Sequence, residues 1–368
     1  MFGRTPVQAA WDEIYLRRRN SQLPEDLQEL TRIFPEYRSI DSFDFSNIHK
    51  VVLNIYPLSL ERVLLNQTWR SQKNFSDAWG RTPLHWAARR GDVTAVEALI
   101  CAGGNVDAQD HEEQAPLHFA ASIPSEKCLQ LLIRAKANPI IKDISGAEPI
   151  HNASTSGIAH LQALVLAGSS LERETMGRRR PLGWAACGNN VAVGKYLINE
   201  GVEIDHADTN NGDTALFSAI SSLHPEFLDM LLDSGVNIKH INNHGSTVLH
   251  WAARCADCPI LDTLAARPQQ FKSLNTSYRD RAGHTAREVL LNRVGTPVGF
   301  QSAFEQFVST LEELQLDRKP EQDREELNNI RSTGEVTDVS WSFRVVAICL
   351  AVGLSAIIIL AFVVSPFH

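Results

Sequence analysis

The sequence repeats itself about every 33 residues. A triplet resembling Pro-Leu-His marks each copy. Its first residue falls at Pro83, Pro116, Pro149, Pro181, Ala215 and Val248, at intervals of 33, 33, 32, 34 and 33. A unit this short cannot bury its apolar face except against its neighbours, so such a period indicates a stack of small repeats. The pattern predicts six stacked units over about residues 80–280.

Three further columns keep the same phase. A leucine or isoleucine follows the first triplet position, at Leu84, Leu117, Ile150, Leu182, Leu216 and Leu249. An alanine stands four residues after that position, at Ala87, Ala120, Ala153, Ala185, Ala219 and Ala252. A leucine or valine stands sixteen after it, at Leu99, Leu132, Val165, Leu197, Leu231 and Leu264. These spacings favour two amphipathic helices in each unit.

The first unit shows how the helices begin and end. Thr82 is predicted to be an N-cap that accepts a hydrogen bond from a backbone N–H of the first turn, with Pro83 at the first helical position. A second helix is expected over residues 93–101, and Gly103 should end it in a left-handed conformation.

These motifs resemble the ankyrin repeat. The signature residues are Thr82, Pro83, Leu84 and His85, then Pro116, Leu117 and His118, then Pro149 and His151, then Pro181, and finally Leu249 and His250. The resemblance is looser in the fourth and fifth units, where Gly183 and Phe217 replace the histidine. It implies an all-α solenoid of stacked helix-turn-helix units with short β-turn or hairpin connections.

Both flanks of the six units are predicted to cap the stack. Residues 43–79 look like a degenerate unit, with Ile48-His49 in place of Leu-His. Residues 1–42 are expected to be a helical capping segment with a short helix over 24–34. Residues 281–316 are predicted to be a C-terminal capping unit, with Thr285 as a helix cap. Its closing helix would carry the stripe Phe300, Phe304, Phe307, Leu311 and Leu314.

A polar linker is expected over residues 317–344, followed by a transmembrane helix over 345–364. The second stretch has 20 residues without a charge, enough for a helix of about 30 Å. The alternative is a buried core helix. A span in this position resembles those of tail-anchored proteins, which implies a single-pass membrane protein with cytosolic repeats. The endoplasmic reticulum is slightly favoured, because the "SPFH" that follows has no Lys or Arg.

Four residues of the histidine column, His85, His118, His151 and His250, could be metal ligands, general bases or structural groups. The resemblance implies that they are structural and bond neighbouring turns. Cys255 and Cys258 match C-x-x-C, but there is no second pair, so a loop between two helices is favoured. No phosphate loop, nucleophile elbow or zinc-helix motif occurs. We therefore predict no enzyme activity, no cofactor and no metal.

The same residues predict what the protein binds. The net charge of −8 disfavours a nucleic acid. The basic run Arg178–Arg180 could meet an acidic partner or lipid phosphates, or be a solvated turn. Trp86, Trp184 and Trp251 share one column and are expected to pack in the core, while Trp79 lies nearby. No small-molecule substrate is indicated.

Partner binding is predicted at the turn tips, residues 109–112, 142–145, 174–177, 207–210 and 241–244. The candidate residues are Gln109, Asp110, His111, Glu112, Lys142, Asp143, Glu174, Thr175, Arg178, Arg179, Asp208, Asn210, Asn242, Asn243 and His244. The expected function is a membrane-anchored adaptor that binds a cytosolic protein and meets the bilayer through residues 345–364. The alternatives are a regulatory subunit whose span binds other membrane helices, and an enzyme that uses Cys255 or the histidines.

Overall fold

A computed structural model describes residues 44–54, 56 and 58–316, and every regular element in these ranges is helical. The fold prediction of an all-α chain is confirmed there, and the described ranges contain no strand. The predicted helix over 24–34, the segment 1–42, the linker 317–344 and the span 345–364 lie outside the described residues. Among the helices between residues 44 and 316, none is both long and apolar enough to cross a bilayer.

Contacts divide the chain into two compact units, Met1–Gly245 and Ser246–His368, called here the N-terminal body and the C-terminal body. The described helices of the N-terminal body are α1 Asn47–Val52, α2 Leu60–Leu65, α3 Gln67–Arg70, α4 Pro83–Arg90, α5 Val93–Cys101, α6 Pro116–Ala121, α7 Lys127–Arg134, α8 Pro149–Ala153, α9 Ile158–Leu166, α10 Pro181–Cys187, α11 Val191–Asn199, α12 Ala215–Ser221 and α13 Pro225–Asp233. A 3-10 helix, Ser71–Asn74, follows α3. Those of the C-terminal body are α14 Val248–Cys255, α15 Cys258–Ala265, α16 Pro268–Phe271, α17 Ala286–Leu291 and α18 Phe300–Leu316.

The first helix of a repeat begins where the sequence predicts. Pro83 is the first residue of α4, after Thr82 in an extended conformation (φ −84°, ψ 165°). The hydrogen bond of the Thr82 side chain differs from the prediction. The Thr82 hydroxyl lies 2.8 Å from His85 Nδ1, whereas the sequence predicts that it accepts from a backbone N–H of the first turn. Gly103 has the predicted positive φ, +81°, and follows Ala102, the C-cap of α5.

The apolar columns form the core of the N-terminal body, with one correction. Leu84, Ala87 and Leu99 are buried as predicted. Val165, however, is exposed, and Leu164 is fully buried in its place. The reason is a connection one residue shorter, because α9 begins nine residues after Pro149 whereas α5 begins ten after Pro83.

Gly194 lets α11 and α13 approach closely. A Cβ at this position would lie 2.7 Å from Phe227 Cζ and 2.6 Å from Met230 Cε, and Phe227 is fully buried. We therefore expect Gly194→Ala to lower the free energy of unfolding by about 1–2 kcal/mol. The overpacking cost exceeds the gain in helix propensity. Urea unfolding followed by circular dichroism measures the change, with the exposed Lys195→Ala as control. A stabilised Gly194→Ala variant would show that the two helices separate without cost.

The C-terminal body is built around α18, the predicted closing helix. Phe300, Phe304, Phe307 and Leu311 are buried as expected, whereas Leu314 is only half-buried. The helix packs against α15 and α16, and the rings of Phe307 and Phe271 meet edge to face at 6.0 Å. A helix therefore lies where the sequence predicts the closing helix, and four of the five stripe residues are buried.

Candidate functional site

The histidine column is a structural ladder. In His85, Nδ1 accepts a hydrogen bond from the Thr82 backbone N–H (2.9 Å), and Nε2 donates to the Gln114 carbonyl of the next turn (3.0 Å). A carbonyl can only accept, so the ring is neutral with its proton on Nε2. The same pairs of bonds are made by His118 (Ala115 N–H, Ala147 O), His151 (Glu148 N–H, Arg173 O), His49 (Ser46 N–H, Arg81 O) and, in the C-terminal body, His250 (Thr247 N–H, His284 O).

Both nitrogens of each ladder ring are therefore already bonded. Neither is free to ligate a metal or to accept a proton from a substrate, and these bonds support a structural role for the column. His49 also makes this pair of bonds, so it occupies the same structural position as the histidines of the column. Across the described ranges, no group of three or more His, Cys, Asp or Glu residues is arranged to hold a metal ion.

Burial controls the protonation of the ladder. Desolvation lowers the pKa of both His49 and His85 to about 4, against a partial opposing effect of their carbonyl acceptors. Desolvation also lowers the pKa values of His118, His151 and His250. These rings are held neutral at physiological pH.

The ladder has gaps at the two positions where the histidine is replaced. At Gly183 a cavity of about 20 Å³, room for about one water, is bordered by Arg179, Asp208 and Thr214. Phe217 is fully buried. Two histidines outside the column bond other turns instead: His206 Nε2 donates to the Arg178 carbonyl (2.8 Å) and His240 Nε2 to the Gly212 carbonyl (2.7 Å).

Four of the predicted partner-binding residues belong to the scaffold. Asp110, Asp143, Asp208 and Asn242 are buried at the start of their turns. Asp143 Oδ1 accepts from the Ser145 N–H (2.9 Å), the Ser145 hydroxyl (2.7 Å) and the Ala147 N–H (2.8 Å). Asp110, Asp208 and Asn242 accept from turn N–H groups in the same way. Their side chains offer little surface to a partner, because their acceptor groups are turned into the protein.

Asp143→Ala is expected to lower the free energy of unfolding by about 1–3 kcal/mol, because it leaves the Ser145 and Ala147 N–H groups without their acceptor. The matched control is Asp143→Asn, which keeps an Oδ1 acceptor and copies the residue at Asn242. It should lose less than half as much. Chemical unfolding of the two variants measures both effects, and equal losses would contradict this account of the turn.

The turn tips form a continuous row joined by backbone hydrogen bonds. The bonds run from Ile144 N–H to Glu112 O (3.0 Å) and from Met176 N–H to Ser145 O (2.8 Å). Bonds of the same kind join the His111 N–H to the Trp79 carbonyl, the Thr209 N–H to the Gly177 carbonyl and the Asn243 N–H to the Asn211 carbonyl. Gly146 permits the close approach, since its φ is +74° and a Cβ would lie 2.8 Å from Met176 N. The tips are thus held in fixed register.

The remaining predicted tip residues lie along this row. Gln109, His111, Lys142, Arg178, Asn210, Asn243 and His244 are exposed, and Glu112, Glu174, Thr175 and Arg179 are half-buried. The predicted candidates were all polar or charged, but three apolar residues inside the predicted tip ranges are also exposed: Ile144 (55% exposed), Met176 (75% exposed) and Ile241 (44% exposed). The sequence could have indicated these exposed residues, because each is an apolar residue within a turn that is otherwise mostly polar.

The basic run is not a free positive patch. Arg178 pairs with Glu174 (3.0 Å) and Arg179 with Asp208 (3.3 Å). Arg180 pairs with Glu174 (3.1 Å) and Glu203 (2.9 Å), and also contacts Glu172. The arginines therefore already have acidic partners within the chain.

The structure shows where the predicted packing tryptophans and the C-x-x-C cysteines lie. Trp86 is buried and donates to Asp77 Oδ2 (2.7 Å), so its packing role is confirmed, while Trp184 and Trp251 are half-buried. Cys255 ends α14 and Cys258 begins α15. The predicted loop thus consists of two residues, and the Cys255 thiol lies 3.0 Å from the Trp251 carbonyl.

Comparisons with known proteins agree with this geometry. The family model "Ankyrin repeats (3 copies)" matches residues 49–143, 84–175, 150–242 and 182–275. The leucine-rich repeat serine/threonine-protein kinase 1 of Caenorhabditis elegans is 40% identical over 57 residues, 15% of this chain and 2% of that protein. This chain thus matches only a small part of that kinase, and the match gives no ground for assigning kinase activity to this chain.

Two solved structures resemble this chain to different degrees. The human ASB11 ankyrin repeat domain has a TM-score of 0.52 and 24% identity, covering 62% of this chain and 98% of that one. The ankyrin repeat domain of Bcl-3 has a TM-score of 0.46 and 23% identity, covering 61% of this chain and 99% of that one. The first of these likenesses shows the fold.

Proposed function

The chain belongs to the ankyrin-repeat family, and we propose that it is a membrane-anchored adaptor that holds a cytosolic protein on the turn tips of its repeats. Ankyrin repeats are protein–protein interaction modules. The finer proposal rests on one observation, the row of tips in fixed register that presents Ile144 and Met176 side by side. A rigid surface binds at a lower entropic cost than a mobile loop.

The Ile144–Met176 pair is the proposed centre of the binding surface. The backbone bonds place the two residues on adjacent tips. Exposed Lys142 and half-buried Glu112 flank them. An apolar centre with a polar rim is the arrangement in which a few residues supply most of the binding free energy of a protein interface.

The double variant Ile144→Asp/Met176→Asp is expected to reduce partner binding by tenfold or more, because it places charges at the apolar centre. Its free energy of unfolding should stay within about 0.5 kcal/mol of the wild type, since both side chains are largely exposed. Proximity labelling from the cytosolic N-terminus of the full chain measures binding. Leu166→Asp, at an 89% exposed position of α9, is the matched control. Identical labelling by all three proteins would refute the proposed surface.

Membrane anchoring is proposed from the uncharged stretch at residues 345–364. In this arrangement the repeats face the cytosol and the endoplasmic reticulum is the favoured membrane. We expect the full chain to remain with membranes after extraction with alkaline carbonate, and the chain without residues 341–368 to be released. Release of the full chain would refute anchoring and leave the tip proposal intact.

A regulatory subunit is the alternative, favoured by small residues within the same stretch, Gly353 and Ala356, which allow close helix approach. Scrambling residues 345–364 while retaining membrane insertion separates the two functions. The adaptor should keep its labelled partners, whereas the subunit should lose its membrane partners.

A further inference from the structure

The connection between α17 and α18 exposes apolar side chains in the C-terminal body. Val294 is 97% exposed and Val298 is 101% exposed, and Leu291 at the end of α17 is 69% exposed. No acidic residue occurs from residue 289 to residue 304. Three neighbouring large apolar residues on one short segment are unusual on a free surface and indicate an interaction site.

This connection is held in a defined shape. Arg293 donates to the Ala256 carbonyl (2.7 Å), and its guanidinium lies 5.0 Å from the ring centroid of Phe300, which is fully buried. The Thr296 hydroxyl donates to the Arg293 carbonyl (3.2 Å). Because both ends are fixed in this way, the valines between them are displayed outward.

Positive charge lies beside the exposed valines. Arg254, His284, Asn292, Arg293 and Val294 line a cavity of about 400 Å³ together with Val289, and none of these six carries a carboxylate. Arg254 is exposed and its guanidinium lies 5.8 Å from the Trp251 ring.

Other arginines of the same body differ, because they are paired with acids. Arg279 pairs with Glu288 (2.9 Å), and Arg287 pairs with both Glu305 (2.8 Å) and Glu312 (2.6 Å). No ion pair joins Arg254 or Arg293 to a carboxylate among the described residues. Neither cation is neutralised by a carboxylate there, so the region beside the valines keeps a positive charge that can attract an anionic partner.

We propose that Leu291, Val294, Val298, Arg254 and Arg293, together called the Val294 surface, contact a bilayer that carries anionic phospholipid. The apolar side chains enter the boundary between headgroups and acyl chains, and the guanidinium groups meet lipid phosphates. The proposal rests on the proposed membrane anchoring, which would keep this surface near a bilayer. The 28 residues from 317 to 344 could span at most about 90–100 Å, enough to allow the contact.

The test places an environment-sensitive fluorescent amino acid at residue 294 of the full chain, reconstituted into vesicles. The vesicles contain either phosphatidylcholine alone or phosphatidylcholine with 30% phosphatidylserine, with brominated acyl chains as quenchers. We expect at least twofold quenching with phosphatidylserine and less than half of that quenching without it. Arg254→Gln should reduce the quenching at least twofold, and Arg134→Gln, at an exposed site of α7, should not. The same probe at residue 166 is the matched positional control and should stay unquenched.

Absence of quenching at residue 294, or equal quenching at residues 294 and 166, would overturn the proposal. So would quenching that ignores phosphatidylserine and Arg254→Gln, or a probe signal that changes only with protein concentration, which would indicate a second copy of the chain. Alkaline carbonate extraction of the same vesicles separates this proposal from anchoring. Extraction-resistant protein without quenching refutes only the Val294 surface, whereas quenched but extractable protein refutes only the anchor.

Discussion

Acidification from pH 7 to pH 4 should destabilise the N-terminal body by about 6 kcal/mol through His49 and His85 alone. Burial lowers the pKa of each ring from 6.5 to about 4. Well above pH 6.5 both rings are neutral whether the chain is folded or unfolded. Between pH 6.5 and pH 4 the unfolded chain binds the protons first, so stability falls as the pH falls, by about 3 kcal/mol for each histidine.

The structural reason lies in the ring contacts. A protonated His85 carries hydrogens on both nitrogens, so Nδ1 can no longer accept from the Thr82 N–H. The lowered pKa values of His118 and His151 act in the same direction. The raised pKa values of Asp77 and Glu148 act in the opposite direction near pH 4, because burial favours their protonated forms.

Urea unfolding at pH 7, 5.5 and 4.5 measures the acid effect. His85→Gln should be less stable at pH 7 and should flatten the dependence of stability on pH between 6.5 and 4. His111→Gln, at an exposed turn tip, is the control and should leave that dependence unchanged. If His85→Gln keeps the full wild-type dependence, His85 does not contribute to acid sensitivity.

Phe304→Ala should lower the free energy of unfolding of the C-terminal body by about 3–5 kcal/mol, since it removes a fully buried ring and leaves a cavity. Phe304 lies on the buried side of α18 with Phe300 and Phe307, the side that packs against α15 and α16. Hydrogen exchange resolved along the sequence measures the loss in this body separately. Gln306→Ala, at an exposed position of the same helix, should change stability by no more than about 0.5 kcal/mol. Similar losses in the two variants would mean that α18 does not close the core as described.

Local signals predicted most of the fold. The N-cap and proline at Thr82 and Pro83 place the start of α4, and the residues of α5 match the predicted range. These features depend on neighbouring residues, which the sequence displays directly. The prediction that Val165 is buried was wrong, because the connection between α8 and α9 is one residue shorter. A fixed repeat length cannot reveal which connection is shortened.

The candidate site was harder to predict because its bonds join residues about one repeat apart. Arg179 meets Asp208, and His206 meets the Arg178 carbonyl, across 29 and 28 residues. Asp143 Oδ1 is an exception, because the N–H groups that it accepts from are two and four residues away. An Asp or Asn three residues before a glycine, as in Asp143–Gly146 and Asn242–Gly245, is a local turn signal that could have separated the scaffold residues from the exposed tips.

The claim that the turn tips bind the partner is tested most directly by covalent capture in cells. A photoreactive amino acid replaces Met176 in the full chain, or Leu166 as the control, and the products are separated by mass after illumination. We predict a discrete protein adduct from position 176, abolished when Ile144→Asp is added, and no such adduct from position 166. Equal adducts from the two positions, or an adduct at 176 that Ile144→Asp leaves unchanged, would contradict partner binding at the tips.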